Sequence, residues 1–397
     1  MFNDRRYILV GSSFLVQGVM IGGLFAYGVI FTALEQEFGW SRTLLSGCIS
    51  LSFLVMGLGA MGAGHLNDRF GPRALMITAG VSWGLGYALM AMLDAPWQLF
   101  VLYGLFIGLG LSTHDVVTLS VIARVFTRRR GMMSGVVKVG TACGQIVIPL
   151  MVALLLQAFD WRTAVLVLGV GGGLALAGAG YGLGTRVEPP TPDNTQAAAK
   201  PPLTGRTLAE ASRTRAFWTL CIVQFMFLPT LVTIPVHLPV HAQDLGLSTS
   251  AAAGLLSIIG FVSIVGRLSV GNGADRLGGR TAAMVCLVIL GGSLAFLAQA
   301  TAPWQLYLFC CVYGIGHGGL FTVVSPTVAE YFGMRAHGAL FGIVLFCGTL
   351  GASMGPLAAG RLFDETGSYA AAFWSLAVMA AIGLVLVYSL PKRGEFR

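Results

Sequence analysis

Long apolar runs separated by short polar stretches make up most of this 397-residue chain. A helix that crosses a bilayer needs roughly 20 predominantly apolar residues. By that measure twelve runs qualify: about 8–34, 42–63, 74–93, 97–124, 131–157 and 163–184, then 216–242, 249–270, 281–299, 303–330, 337–361 and 369–390. Arg5 and Arg6 precede the first run, which is too long for a signal peptide and lacks a small-residue cleavage site, so it reads as a first membrane helix. The stretch 186–215 is rich in Pro, Thr, Ala and Gln and carries Arg186, Lys200, Arg206, Arg213 and Arg215. Such a composition cannot form a core, so it reads as a polar linker with a short surface helix near Thr207–Arg213. The pattern predicts an all-α polytopic membrane protein of twelve transmembrane helices, in two six-helix halves at 1–185 and 216–397.

The halves echo each other. Gly64-His65-Leu66-Asn67-Asp68-Arg69-Phe70-Gly71-Pro72-Arg73 reads as a polar loop between the second and third helices, and Gly271-Asn272-Gly273-Ala274-Asp275-Arg276-Leu277-Gly278-Gly279-Arg280 repeats it 207 residues later. Ala95-Pro96-Trp97-Gln98-Leu99 recurs as Ala302-Pro303-Trp304-Gln305-Leu306 at the same offset. Gln17 pairs with Gln224, Gly39 with Gly246, Gly131 with Gly338, Gly144 with Gly351 and Pro149 with Pro356. The repeated residues are mostly glycines, prolines and loop charges, which a backbone geometry requires. The chain therefore reads as a duplicated bundle with pseudo-symmetric halves.

Composition agrees. A hydrophobic fraction of 56% and a charged fraction of 10% exclude an ordinary soluble domain, where charged residues run near a quarter. Mean hydropathy is +0.80. The net charge of +8 does not point to nucleic acid, because the basic residues cluster in short loops on one side. That side holds the N-terminus, the second–third loop, Arg124, Arg128, Arg129 and Arg130, the linker, Arg335, and Lys392, Arg393 and Arg397. The opposite loops hold little beyond Arg42, Arg162 and Arg361. The positive-inside rule then places both termini in the cytoplasm, and the short loops suit a bacterial inner membrane. Seven cysteines lie within apolar segments without metal spacing and read as packing residues. His237 and His241, four apart, have no evident third ligand and read as a wetted helix end rather than a metal site. No phosphate-binding glycine loop and no nucleophile–base set stands out, which argues against an ATP-driven pump or an enzyme and calls for no cofactor.

The loop Gly-x-Leu-x-Asp-Arg-x-Gly-x-Arg resembles the signature of the major facilitator superfamily. The resemblance implies that Asp68, Arg69 and Arg73, with Asp275, Arg276 and Arg280 in the echo, latch cytoplasmic helix ends in the outward-facing state. A narrower likeness follows from Phe38-Gly39-Trp40-Ser41-Arg42, from Arg124-Val125-Phe126-Thr127-Arg128-Arg129-Arg130-Gly131, and from Gly135, Gly140 and Gly144 in the fifth helix. Asp160-Trp161-Arg162 and Gly260-Phe261-Val262 with Gly266-Arg267 extend it. These stretches resemble the monocarboxylate transporter family and its bacterial oxalate/formate-exchanger relatives. Two features depart from it: the acidic, glycine- and tryptophan-rich opening of the first helix in animal members is missing, and Phe25 stands near the place of their first-helix lysine.

Charges within the membrane are costly and usually functional. Lys138 lies roughly 10 Å inside the fifth helix, Asp115 roughly 13 Å inside the fourth with His114 beside it, and Arg267 on the order of 6–12 Å inside the eighth. None repeats at the 207 offset, where Leu345, Thr322 and Ala60 stand. A planar guanidinium can hold a carboxylate through two parallel hydrogen bonds, so Arg267 is a candidate for binding an organic anion. The family resemblance implies the same role. Lys138 and Asp115 form either a neutralising ion pair or, with His114, a proton-coupling site. His317 sits among glycines, which leave room for a ligand; Phe321 and Phe346 are candidates for an apolar wall, and Tyr27, Gln17 and Gln224 for polar lining. The expected function is a secondary transporter, a monomer in the lipid bilayer, that moves a small monocarboxylate by alternating access with a proton. The alternatives are a dicarboxylate exchanger, with Lys138 and Arg267 each holding one carboxylate, and a drug exporter of the same fold. Relatives that exchange dicarboxylates place their lysine where this chain has Leu345 and Phe346, and Gly144–Pro149 departs from the exporters' antiporter motif.

Overall fold

The structure, a computed structural model, describes residues 5–126, 130–184, 205–333 and 335–391. Arg128 and Arg129, the linker up to residue 204, and the tail with Lys392, Arg393 and Arg397 lie outside the described residues. What is described is almost entirely helical. The first helix, α1, is Arg5–Phe38. Helix then runs from Arg42 to Met90, but Gly71 interrupts it with φ 82° and ψ 162°. A single helix of 49 residues would extend about 74 Å, more than twice a bilayer core. The break divides it into α2 (42–70) and α3 (72–90).

The sequence reading made 64–73 a loop; the structure keeps it helical up to Phe70. Asp, Arg and Asn lower helix propensity only slightly, whereas the glycine and the proline after it end a helix. A positive φ with extended ψ is open to glycine and strained for other residues. The second half repeats the device: Gly278 has φ 85° and ψ 156°. It separates α8 (Thr249–Leu277) from α9 (Gly279–Leu297).

The span expected over 97–124 is not one regular helix. This fourth span, α4, is built from Pro96–Leu99, a wide π turn over Phe100–Ile107, Gly108–Leu111 and, after a break, His114–Val125. Ser82 of α3 donates to the Phe106 carbonyl at 2.7 Å. Ser112 and Thr113 donate to the carbonyls of Leu109 and Gly110 at 2.7 and 3.0 Å. Hydroxyls thus occupy carbonyls that the broken ladder releases, a competition that short polar side chains are suited to win. Its counterpart α10 (Pro303–Phe332) is continuous.

The remaining helices are α5 (Arg130–Ala158), α6 (Trp161–Leu183), α7 (Arg215–Asp244), α11 (His337–Thr366) and α12 (Ala370–Tyr388). The repeated Ala-Pro-Trp-Gln-Leu opens α4 and α10. Proline needs no donor there, and glutamine reaches back to the chain before it: the Gln98 amide oxygen accepts from the backbone N–H of Asp94 and Ala95, and Gln305 from that of Thr301 and Ala302. At the start of α6, Asp160 accepts from the Thr163 backbone N–H at 2.7 Å. That bond to its charged form holds the carboxyl below the usual carboxylate range. A short helix, Leu208–Ala211, is capped reciprocally by Thr207 and Glu210, as the linker composition suggested.

The chain divides into two compact units, Met1–Ala26 with Leu51–Pro202, and Tyr27–Ser50 with Leu203–Arg397. The far ends of α1 and α2 therefore belong to the second unit. Within each unit, repeated glycines let backbones touch. A Cβ on Gly144 of α5 would fall on the Gly18 carbonyl of α1, and one on Gly351 of α11 on the Phe225 carbonyl of α7. Gly18 and Phe225 are themselves 207 apart, so the same crossing is built twice.

Candidate functional site

In the first unit the chemistry gathers where α4 resumes after its break. Lys138 of α5 places Nζ 2.5 Å from Asp115 Oδ1, with 34% and 37% of the two side chains exposed, so the pair is neither sealed nor fully solvated. Gln17 of α1 donates to the same Oδ1 at 2.8 Å and to Thr118 Oγ1 at 3.0 Å. Thr118 in turn donates to the His114 carbonyl. His114 Nδ1 lies 2.6 Å from the Leu111 carbonyl, which can only accept, so Nδ1 carries a hydrogen. Nε2 faces Asp115 Oδ1 at 3.6 Å. On a neutral ring, two lone pairs meet there; a proton on Nε2 turns the contact into an attraction. The structure thus brings together Gln17, His114, Asp115 and Lys138.

In the second unit, Arg267 of α8 and His317 of α10 share one neighbour. The guanidinium carbon is 6.0 Å from the Phe321 ring centre and the imidazole 5.3 Å. His317 is buried, and its Nδ1 lies 3.3 Å from the Tyr313 hydroxyl. Tyr313 gives its single hydrogen to the Thr230 carbonyl, so Nδ1 is the donor to the Tyr313 oxygen. Phe321 is 49% exposed, so its ring still has open surface. Gln224, buried on α7, packs at Gly348 of α11, and Phe346 stands half-buried two residues away. Tyr27 is fully buried, and its hydroxyl donates to the Leu45 carbonyl of α2 at 2.9 Å.

Of the residues expected to act as latches, Arg73 and Arg280 make matching contacts. The Arg73 guanidinium lies 3.8 Å from the Tyr181 ring centre in α6. Arg280 lies 5.3 Å from Tyr388 in α12 and donates to the carbonyls of Val387 and Tyr388. Tyr181 and Tyr388 are again 207 apart. Arg69 stacks beside Phe70. The side chains of Asp68, Asp275 and Arg276 lie outside the described residues.

One expectation is overturned. His237, read as part of a wetted helix end, is fully buried. Its Nε2 donates to the Pro356 carbonyl at 3.0 Å, and its Nδ1 accepts from the Tyr369 hydroxyl at 2.9 Å. Hydropathy along α7 counts neighbours in the chain, and it was α11 and α12 that removed this end from solvent. Arg42, in a motif the sequence singled out, joins the same region through contacts that no local pattern announces.

Comparison with known proteins accords with the geometry. The family model described as Major Facilitator Superfamily matches residues 13–297 and 270–395. The chain is 26% identical over 390 residues to monocarboxylate transporter 13 of Bos taurus, covering 97% of this chain and 89% of that one. It is 27% identical over 379 residues to monocarboxylate transporter 3 of Rattus norvegicus, covering 93% and 76%. Among solved structures, the D-xylose-proton symporter superposes with a TM-score of 0.76 at 17% identity, covering 98% of this chain and 99% of that one. A bacterial homolog of the human lysosomal transporter Spinster, inward-facing and occupied, gives 0.71 at 14% identity, covering 96% and 94%. This is a multi-pass membrane transporter for a small organic substrate, not an enzyme. The chain belongs to the major facilitator superfamily, and within it the likeness is to the monocarboxylate transporters.

Proposed function

We propose that the protein moves a small monocarboxylate of the lactate or pyruvate kind by alternating access, together with a proton. The observation that carries the reading is the bond between Lys138 and Asp115. A dicarboxylate would require both Lys138 and Arg267, and Lys138 already holds a carboxylate of the chain itself. Arg267 is the cation proposed to meet the single carboxylate of the substrate. Its planar fork suits that group, with Phe321 as the apolar wall for a short carbon chain and His317 at its side. Phe346 and Gln224, of the same unit, complete the proposed lining.

The proton belongs at His114 and Asp115, where an imidazole nitrogen with its lone pair faces a carboxylate oxygen. Anion and proton together bring no net charge, so the loaded step moves no extra charge across the membrane potential. The distribution of basic residues between the loops supports cytoplasmic termini, the short loops support a bacterial inner membrane, and the chain is proposed to act as a monomer of two halves, 1–185 and 216–397, joined by the cytoplasmic linker 186–215.

The test is uptake of labelled lactate, pyruvate, acetate and oxalate into proteoliposomes, with and without an inward proton gradient. Gradient-stimulated monocarboxylate uptake is expected, abolished in Arg267→Ala and not restored in Arg267→Lys, which lacks the fork. Asp115→Asn is expected to lose the gradient stimulation. Oxalate movement that needs a counter-anion and ignores pH would replace this reading with exchange.

A further inference from the structure

The far ends of α1 and α2, within the second unit, meet α7, α11 and α12 around Arg42. Only 6% of this arginine is exposed. Its guanidinium donates to Asp244 at the end of α7 through two bonds of 2.6 and 2.8 Å, and to Glu35 of α1 at 2.7 Å. Its planar face lies 3.8 Å from the Phe363 ring centre of α11. Asp364 of α11 accepts from the backbone N–H groups of Arg42 and Thr43, which open α2, at 3.1 and 2.8 Å. Ser46 donates to the Arg42 carbonyl, and His237 lies 3.2 Å from the same hydroxyl, continuing to Tyr369. Two glycines allow this approach: a Cβ on Gly28 would meet the Pro235 carbonyl, and one on Gly360 the Arg42 carbonyl.

The guanidinium of Arg42 thus joins carboxylates of α1 and α7, and the backbone at the start of α2 holds a third, from α11. Without the guanidinium, Glu35 of α1 and Asp244 of α7 would lose the cation they share. We propose that Arg42 is a positioning residue for transport: the hub of a lock that closes the end of the molecule opposite the termini, and that must release once per cycle for that face to open. This rests on the alternating access and orientation proposed above, and not on the identity of the substrate.

Hydrogen–deuterium exchange on the full chain in lipid tests it without substrate. In Asp244→Asn, backbone exchange is expected to rise at least roughly tenfold over 36–48, 240–247 and 360–370. Over 66–75 and 274–282, at the opposite end, it is expected to fall, because opening one face closes the other. Asp244→Glu, which keeps the carboxylate, is expected to stay near wild type. If Asp244→Asn does not yield folded protein, Arg42→Lys replaces it, with the charge kept and the paired bond lost. A rise at the Arg42 end without the opposite fall would mean a merely structural contact and overturn the proposal, as would no change. Either result can be told apart from a wrong substrate class, which would leave the exchange pattern intact and abolish uptake of the tested anions.

Discussion

Lys138 and Asp115 show how a charge is kept inside a membrane protein. Removing one partner strands the other, at about 3–5 kcal/mol for a fully buried pair; here a third of each side chain is exposed and the cost is smaller. Lys138→Met is therefore expected to lower the thermal stability of the protein in detergent. Adding Asp115→Asn is expected to recover most of the loss, because the neutral pair has no stranded charge. A double variant no more stable than the single one would show that Gln17 and His114, not the ion pair, dominate the site. The same cluster separates chemistry from position. Gln17 repeats as Gln224, yet Gln17 meets an acid, Asp115, at the place where the other half has Thr322.

At the scale of helices, glycine decides which pairs can touch. Gly144 and Gly351 each stand against the backbone carbonyl of a partner helix, and a carbonyl cannot turn aside as a long side chain can. Gly144→Ala and Gly351→Ala are each expected to destabilise by about 1–3 kcal/mol, the usual cost of overpacking. Gly135, on the same helix as Gly144, has nothing within 4 Å of a built Cβ. Gly135→Ala is expected to be neutral or to stabilise by about 0.5–1 kcal/mol through helix propensity. Thermal unfolding of the three variants checks this; equal losses would mean that propensity, not contact, sets the effect. The broken course of α4 belongs to the same scale. Its break falls directly before His114 and Asp115, so an irregular backbone sits beside these charges, while α10 is continuous.

Across the whole molecule, duplication separates what builds the frame from what was added to one half. Tyr181 and Tyr388 each lie under an arginine, and Tyr181→Ala and Tyr388→Ala are expected to cost similar amounts, about 0.5–1 kcal/mol, without changing substrate affinity. Unequal losses would mean that the two halves carry different loads at these contacts. This symmetry was legible in the chain before any coordinates, because helix ends and close crossings demand particular residues: a glycine at 71 and 278 for a positive φ, proline and glutamine at the openings of α4 and α10, glycine at 144 and 351. Among the described residues, eleven helices are long and apolar enough to cross a membrane, and these spans followed from hydropathy for the same reason, since a bilayer sets both their length and their composition. The candidate charges Lys138, Asp115 and Arg267 were visible too, as ions are rare in apolar runs. What the chain alone left open was which groups meet. Whether Lys138 pairs with Asp115, that Tyr27 gives its hydroxyl to α2, that His237 is buried and that Arg42 gathers acids over 300 residues apart in sequence, from Glu35 to Asp364, all depend on contacts between distant segments. Local residue type governs turns, caps and insertion into lipid; partner choice among charges is set only when tertiary packing brings those segments together.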